Sequence, residues 1–188
     1  AAVEGGGTSW AVAIMEDTCD NIIERTRFVT TTPEETLGSI KAWLSERTFD
    51  AIGVASFGPI DANLNSKHFG YITSTPKPNW AFVNVLGLLG VREMNIPFRF
   101  DTDVNAPAYA EFVLDGDSSI ESCAYITVGT GIGVGLVCNG KTVHGLMHPE
   151  AGGPYFLLLP SNRSIDSKLK CMLMLLFLFM CNCPQDMF

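Results

Sequence analysis

Two stretches of this chain repeat one design, and they restrict the fold more than any other feature. Val3-Glu4-Gly5-Gly6-Gly7-Thr8 and Val128-Gly129-Thr130-Gly131-Ile132-Gly133 each set a glycine turn between segments of small and β-branched residues. Such segments favour strands, so each unit reads as strand, glycine turn, strand. Residues 11–15 continue the first unit, and the Asn139-Gly140 dipeptide closes a hairpin behind the second. Two such units opening successive segments predict a diverged duplication, an α/β chain of two related halves. The competing explanation is chance similarity between two glycine turns.

Glycines in such turns permit positive φ and let backbone N–H groups approach an anion with no Cβ in the way. Phosphate is the natural guest. The alternative is that glycines at 129, 131, 133 and 135 serve close strand packing or a bulge. A dinucleotide-binding reading fails, because that fingerprint needs a helix after the glycines and here a strand follows. A P-loop is not expected either, because Gly140-Lys141-Thr142 continues the Asn139-Gly140 hairpin instead of joining a strand to a helix.

Between the two units the chain alternates helix and strand. Thr32-Pro33-Glu34-Glu35 has the chemistry of a helix start, with Thr32 as cap, Pro33 in the first turn and Glu35 completing a capping box. Leu37, Ile40, Trp43 and Leu44 then share one face, predicting a helix to about Arg47. Residues 51–57 read as a buried strand closed by Gly58-Pro59. Residues 61–80 are irregular and polar, residues 83–94 are predicted helical, and Pro97-Phe98-Arg99-Phe100 is predicted to be a strand leading to Asp101-Thr102-Asp103-Val104-Asn105. Ala106 to Phe112 is predicted helical, since Pro107 falls in its first turn.

That layout puts Asp103 at a strand-to-helix junction, where a carboxylate can take a proton from a substrate hydroxyl while Asn105 orients neighbouring hydroxyls. Helix capping competes for the same residues, and Asp101 is an equal candidate for cap or base. Glu150, in His148-Pro149-Glu150-Ala151-Gly152-Gly153, could grip vicinal hydroxyls or simply sit in a solvated turn. His144, His148 and Glu150 invite a metal, but no predicted helix puts 144 and 148 on one face and no paired cysteine motif supports it. Trp80 could stack on a sugar ring or anchor its loop to the core.

Composition narrows the partners. Twelve basic against twenty acidic residues give a net charge of −8, so no positive field gathers nucleic acid or an anionic membrane. The six cysteines form no CxxC pair, which favours a reducing, cytoplasmic setting. The apolar run from Met172 to Met180 is shorter than the roughly 20 residues of a membrane span. The chain opens at Ala1 without a Met, so the native start, with any targeting peptide, is expected to lie upstream.

Six motifs in order resemble the ROK family of sugar kinases and repressors, most closely its fructokinase branch. They are Glu4-Gly5-Gly6-Gly7-Thr8, Ser56-Phe57-Gly58-Pro59-Ile60-Asp61, residues 70–77, Thr102-Asp103-Val104-Asn105-Ala106, residues 125–133 and His148-Pro149-Glu150-Ala151-Gly152. The resemblance implies a duplicated actin-like, hexokinase-like (ribonuclease H-like) α/β fold closing over ATP and a hexose. It implies Asp103 as the base, Asn105 and Glu150 holding the sugar, and Gly58, Pro59, Thr75 and Trp80 lining its pocket. Gly6, Gly7, Thr8, Thr130 and Gly131 would contact phosphates, with Mg²⁺ bridging them and fructose 6-phosphate as product.

Departures from the pattern set further expectations. Ser9 stands where the pattern carries a lysine, and Gly153 where it carries a zinc-ligating histidine. The zinc site is therefore expected to be lost. Residues 1–115 are expected to form the N-terminal lobe and 116–159 the start of a second, incomplete lobe. Residues 160–188 read as a hydrophobic tail unrelated to the family, as in a truncated chain. A catalytically inactive sugar-binding remnant is the alternative function. A repressor would need a DNA-binding segment ahead of a phosphate motif that here begins at residue 4. The resemblance is compatible with a homodimer.

Overall fold

The computed structural model describes residues 1–18, 21–114, 119–128 and 132–145. Its first part is a five-stranded sheet in the order β3-β2-β1-β4-β5. The predicted opening hairpin is present: β1 (Ala2–Gly5) and β2 (Ser9–Met15) pair antiparallel, with Gly5 opposite Trp10. β3 (Ile22–Val29) adds an outer antiparallel strand. β4 (Ile52–Ser56) and β5 (Phe98–Thr102) run parallel to β1.

Helix α1 (Pro33–Ser45) joins β3 to β4 and starts as its sequence requires. Thr32 Oγ1 accepts from Glu35 N at 3.3 Å, meeting one of the unpaired donors of the first turn. Its Leu37, Ile40 and Leu44 are at most 1 % exposed, each burial contributing about 1.5–3 kcal/mol before entropy. Beyond its end, Arg47 lies over the Trp43 ring at 3.6 Å and forks onto Glu24 of β3 at 2.5 and 2.9 Å.

The helix predicted over 83–94 is divided. α2 (Val85–Leu89) ends at Gly90, whose φ of 71° closes a left-handed cap, and a single 3₁₀ turn follows at Arg92–Met94. Gly90 N donates to Gly87 O and Val91 N to Leu86 O, both at 3.0 Å, so the last carbonyls are met without continuing the helix. Leu86, Leu89 and Val91 still reach the common core with Val3, Val12 and Val54.

α3 (Asn105–Leu114) leads to a second, three-stranded antiparallel sheet of β6 (Ser122–Val128), β7 (Ile132–Cys138) and β8 (Lys141–Thr142). Gly135 explains how closely α3 and β7 approach: a Cβ there would collide with the carbonyl of Val104. At Gly133 a Cβ would stand 2.8 Å from Val104 Cγ1. These two glycines serve packing, as the alternative reading of their spacing held. The second turn itself, 129–131, lies outside the described residues, as do the tail and its division from the second lobe.

Candidate active site

Parallel pairing of β1, β4 and β5 puts their carboxyl ends on one edge, where α/β sheets bind ligands. The register is level across it, with Gly5 opposite Ser56 and Ser56 opposite Thr102. The residues that follow interlock: Phe57 N donates to Gly5 O at 2.8 Å and Asp103 N to Ser56 O at 3.0 Å. The glycine turn, Gly58-Pro59 and Asp103 therefore leave the sheet side by side.

The first turn differs from its expected mechanism. None of Gly5, Gly6 and Gly7 has positive φ. Gly5 is needed because a Cβ there would lie 2.5 Å from the Trp10 ring, whereas nothing stands within 4 Å of one at Gly7. The open side of the turn is thus at Gly7 and Thr8, both exposed. Thr30 Oγ1 holds the turn by donating to Gly6 O at 3.0 Å.

At the junction, the choice among capping residues resolves. Thr102 Oγ1 accepts from Asn105 N at 2.9 Å, so the threonine hydroxyl takes the capping bond at the start of α3. Asp101 is occupied elsewhere: its Oδ1 accepts from Thr102 N at 2.7 Å, and its Oδ2 meets Thr142 Oγ1 at 3.1 Å and His144 Nε2 at 3.2 Å. Burial pushes the Asp101 carboxyl up, but the bonds from His144, Thr102 and Thr142 outweigh it and hold the group below its ordinary range. The hydrogen bond to Asp101 raises His144 against the opposing effect of burial. Asp103, half-buried, follows Thr102 at the edge itself.

Beside this junction lies a cleft of about 740 Å³, lined by Pro59, Ile60, Asp61, Asn63, Thr73, Thr102, Asn105 and His144 among others. Its wall of amide, hydroxyl, carboxylate and imidazole groups suits a polyhydroxylated ligand. His144 and Asp61 were not singled out by sequence as lining residues. The Asp101–His144 link spans 43 positions, and no local spacing reports it.

Of the residues predicted for the sugar, Pro59 and Asn105 line this cleft. Asn105 is fully buried and its amide is bonded at both ends, Nδ2 donating to Val143 O at 3.1 Å and Oδ1 accepting from Leu136 N at 3.2 Å. Those bonds make it a bridge between α3 and the second sheet. Gly58 precedes Pro59 through a cis peptide bond, and Thr75 Oγ1 accepts from Lys77 N at 3.4 Å in the neighbouring loop. Trp80 is a correction. It is 0 % exposed, stacks on Trp10 at 5.6 Å between centroids, meets Phe57 edge-on at 5.3 Å and donates from Nε1 to Thr31 O at 2.9 Å. The ring is core and offers no face to a sugar. Thr130, Gly131, Glu150, His148, Gly153 and the tail cysteines lie outside the described residues. Among the described residues, no group of three or more His, Cys, Asp and Glu could hold a metal ion, and no helix is long and apolar enough to cross a membrane.

The parallel-strand edge thus carries a glycine hairpin on one side and an Asp-bearing strand-to-helix junction on the other. The chain belongs to the ROK family, whose model matches residues 1–186. It is 42% identical over 163 residues to a fructokinase of Streptococcus mutans, covering 86% of this chain and 54% of that one. To a fructokinase of Lactococcus lactis it is 46% identical over 151 residues, covering 80% and 50%. The chain thus spans about half the length of these curated relatives. Among solved structures, a ROK family glucokinase from Streptomyces griseus, in complex with glucose and AMPPNP, superposes with a TM-score of 0.63 at 22% identity, covering 80% of this chain and 47% of that one. An inorganic polyphosphate/ATP-glucomannokinase from Arthrobacter gives 0.58 at 26% identity, covering 76% and 59%.

Proposed function

We propose that this protein is an ATP-dependent hexose kinase that converts D-fructose to fructose 6-phosphate, with Asp103 as general base. The observation that carries the reading is the level row of Gly5, Ser56 and Thr102, which delivers the glycine turn, Gly58-Pro59 and Asp103 to one edge. The similarity to two fructokinases above 40% identity supports fructose as acceptor.

In this reading MgATP is the donor substrate and brings its own Mg²⁺, which dehydrates reluctantly and is held largely through phosphates. Gly6, Gly7 and Thr8, with Thr130 and Gly131 of the second turn, contact the phosphates. The sugar occupies the cleft between Pro59 and Asn105, with Gly58, Thr75 and Glu150 contributing to its boundary. Asp103 accepts the proton of the sugar hydroxyl as that oxygen attacks the terminal phosphorus. The bond to the bridging oxygen breaks, and ADP leaves with that electron pair. The neighbouring Asp101 is engaged by Thr102, Thr142 and His144.

Incubation with MgATP and fructose is expected to release ADP, faster than with mannose or glucose. Asp103→Asn is expected to lower turnover about 10²- to 10⁴-fold while calorimetric fructose binding persists. Undiminished turnover in the variant would remove Asp103 from the mechanism. Absence of ADP release by the wild-type chain with any of the three hexoses would sink the activity for this chain and leave the inactive sugar-binding reading.

A further inference from the structure

The loop from Thr73 to Trp80 is fastened at three points. Thr73 donates to Pro59 O from N at 2.7 Å and from Oγ1 at 3.1 Å. Trp80 Nε1 donates to Thr31 O at 2.9 Å. Between them, Lys77 Nζ donates to Gly7 O, the carbonyl at the open side of the glycine turn, from 70 positions away in the chain. The turn from Gly5 to Ser9 carries no cationic side chain of its own. The turn's cation therefore comes from a different element.

A carbonyl engages one of the three N–H groups of an ammonium, and the other two remain for further acceptors. The space beside Gly7 is open. A compact ammonium on a flexible stem can follow a moving phosphate oxygen better than a planar guanidinium can. The chain carries a net charge of −8, so attraction for a polyanion at this edge has to come from a locally placed cation.

We propose that Lys77 is a catalytic residue that binds the terminal phosphate of the donor. This deepens the kinase reading above and rests on it. The ammonium waits on Gly7 O, turns to the phosphate oxygens when MgATP is bound, and offsets their charge as the phosphoryl group passes to the sugar. Its loop also supplies Thr73 to the acceptor cleft, so one segment touches both donor and acceptor. The plain alternative is that Lys77 only pins the loop to the turn.

Binding of MgATP and of AMP, measured by calorimetry on wild type, Lys77→Gln and Lys77→Arg, separates these. Glutamine keeps a donor but removes the charge, and AMP lacks the phosphates at issue. Lys77→Gln is expected to weaken MgATP about 10- to 100-fold, as befits a charge-assisted hydrogen bond, with AMP nearly unchanged and with Lys77→Arg recovering most of the loss. Equal losses for both nucleotides, or none for either, overturn the proposal and leave the kinase reading standing. Failure of wild type to bind MgATP overturns the kinase reading and this one with it. Reductive methylation of the wild-type chain gives a readout independent of variant folding. Lys77 should be protected by MgATP and not by AMP, and unprotected Lys77 in the MgATP complex would equally overturn the assignment.

Discussion

The five-stranded and three-stranded sheets use similar strand–glycine–strand sequences for different ends. In the first, Gly5 makes room for the Trp10 ring, which is sealed between Trp80 and Phe57. In the second, Gly133 and Gly135 make room for the backbone and side chain of Val104, while Val128, Ile132 and Leu136 stay exposed. A glycine is thus read by what approaches it. One sheet is held by an aromatic core, and the other is held onto its neighbour by close backbone contact and by hydrogen bonds from Asn105.

Substitutions can break this contrast at either end. The largest effect is expected at Trp80. Trp80→Ala should cost about 3–5 kcal/mol in urea unfolding, the mark of a core residue; a stable variant with weakened fructose binding would restore it as a sugar platform. Gly135→Ala comes next, at about 1–3 kcal/mol or more from overpacking against Val104. Hydrogen exchange should show the loss concentrated in β6 and β7, and uniform loss across both sheets would mean that they unfold as one.

A pH effect follows from the Asp101–His144 pair. The raised His144 contributes stability fully below its unfolded value of about 6.5 and loses it as pH rises through the higher folded value. The lowered Asp101 contributes above its unfolded value of about 3.9 and loses it as pH falls through the folded one. Attachment of the second sheet should be firmest between those unfolded values, and His144→Ala should flatten the decline on the alkaline side. An unchanged pH profile in the variant would show that the pair adds nothing. The smallest change is expected for Gly7→Ala, within about 0.5 kcal/mol in stability, because its Cβ meets nothing. A larger loss would show that the turn is more constrained than its open side indicates.

Much of the first sheet was legible in the sequence. α1 announced itself through Thr32, Pro33 and a buried face at Leu37, Ile40 and Leu44, all of which are local signals. Asp103 was placed at a strand-to-helix junction for the same reason. β3 was not evident, because an edge strand reading Glu24-Arg25-Thr26-Arg27 has little apolar alternation to display. The division of the helix at Gly90 turned on one left-handed residue. Trp80 could be core or ligand surface until Trp10 and Phe57 were seen around it. Thr102 caps α3 from three residues away, but the diversion of Asp101 to Thr142 and His144 depended on tertiary pairing that no spacing encodes.

Asn105 couples chemistry to mechanics. It stands two residues beyond Asp103, and its amide is fastened to Leu136 of the far sheet and to Val143 just beyond β8. Any rotation of that sheet pulls on the first turn of α3 and so on the strand end that presents Asp103. With Asp103 as the proposed base, the carboxylate would be geared to the second sheet, and its alignment with an acceptor hydroxyl would become a readout of where that sheet stands.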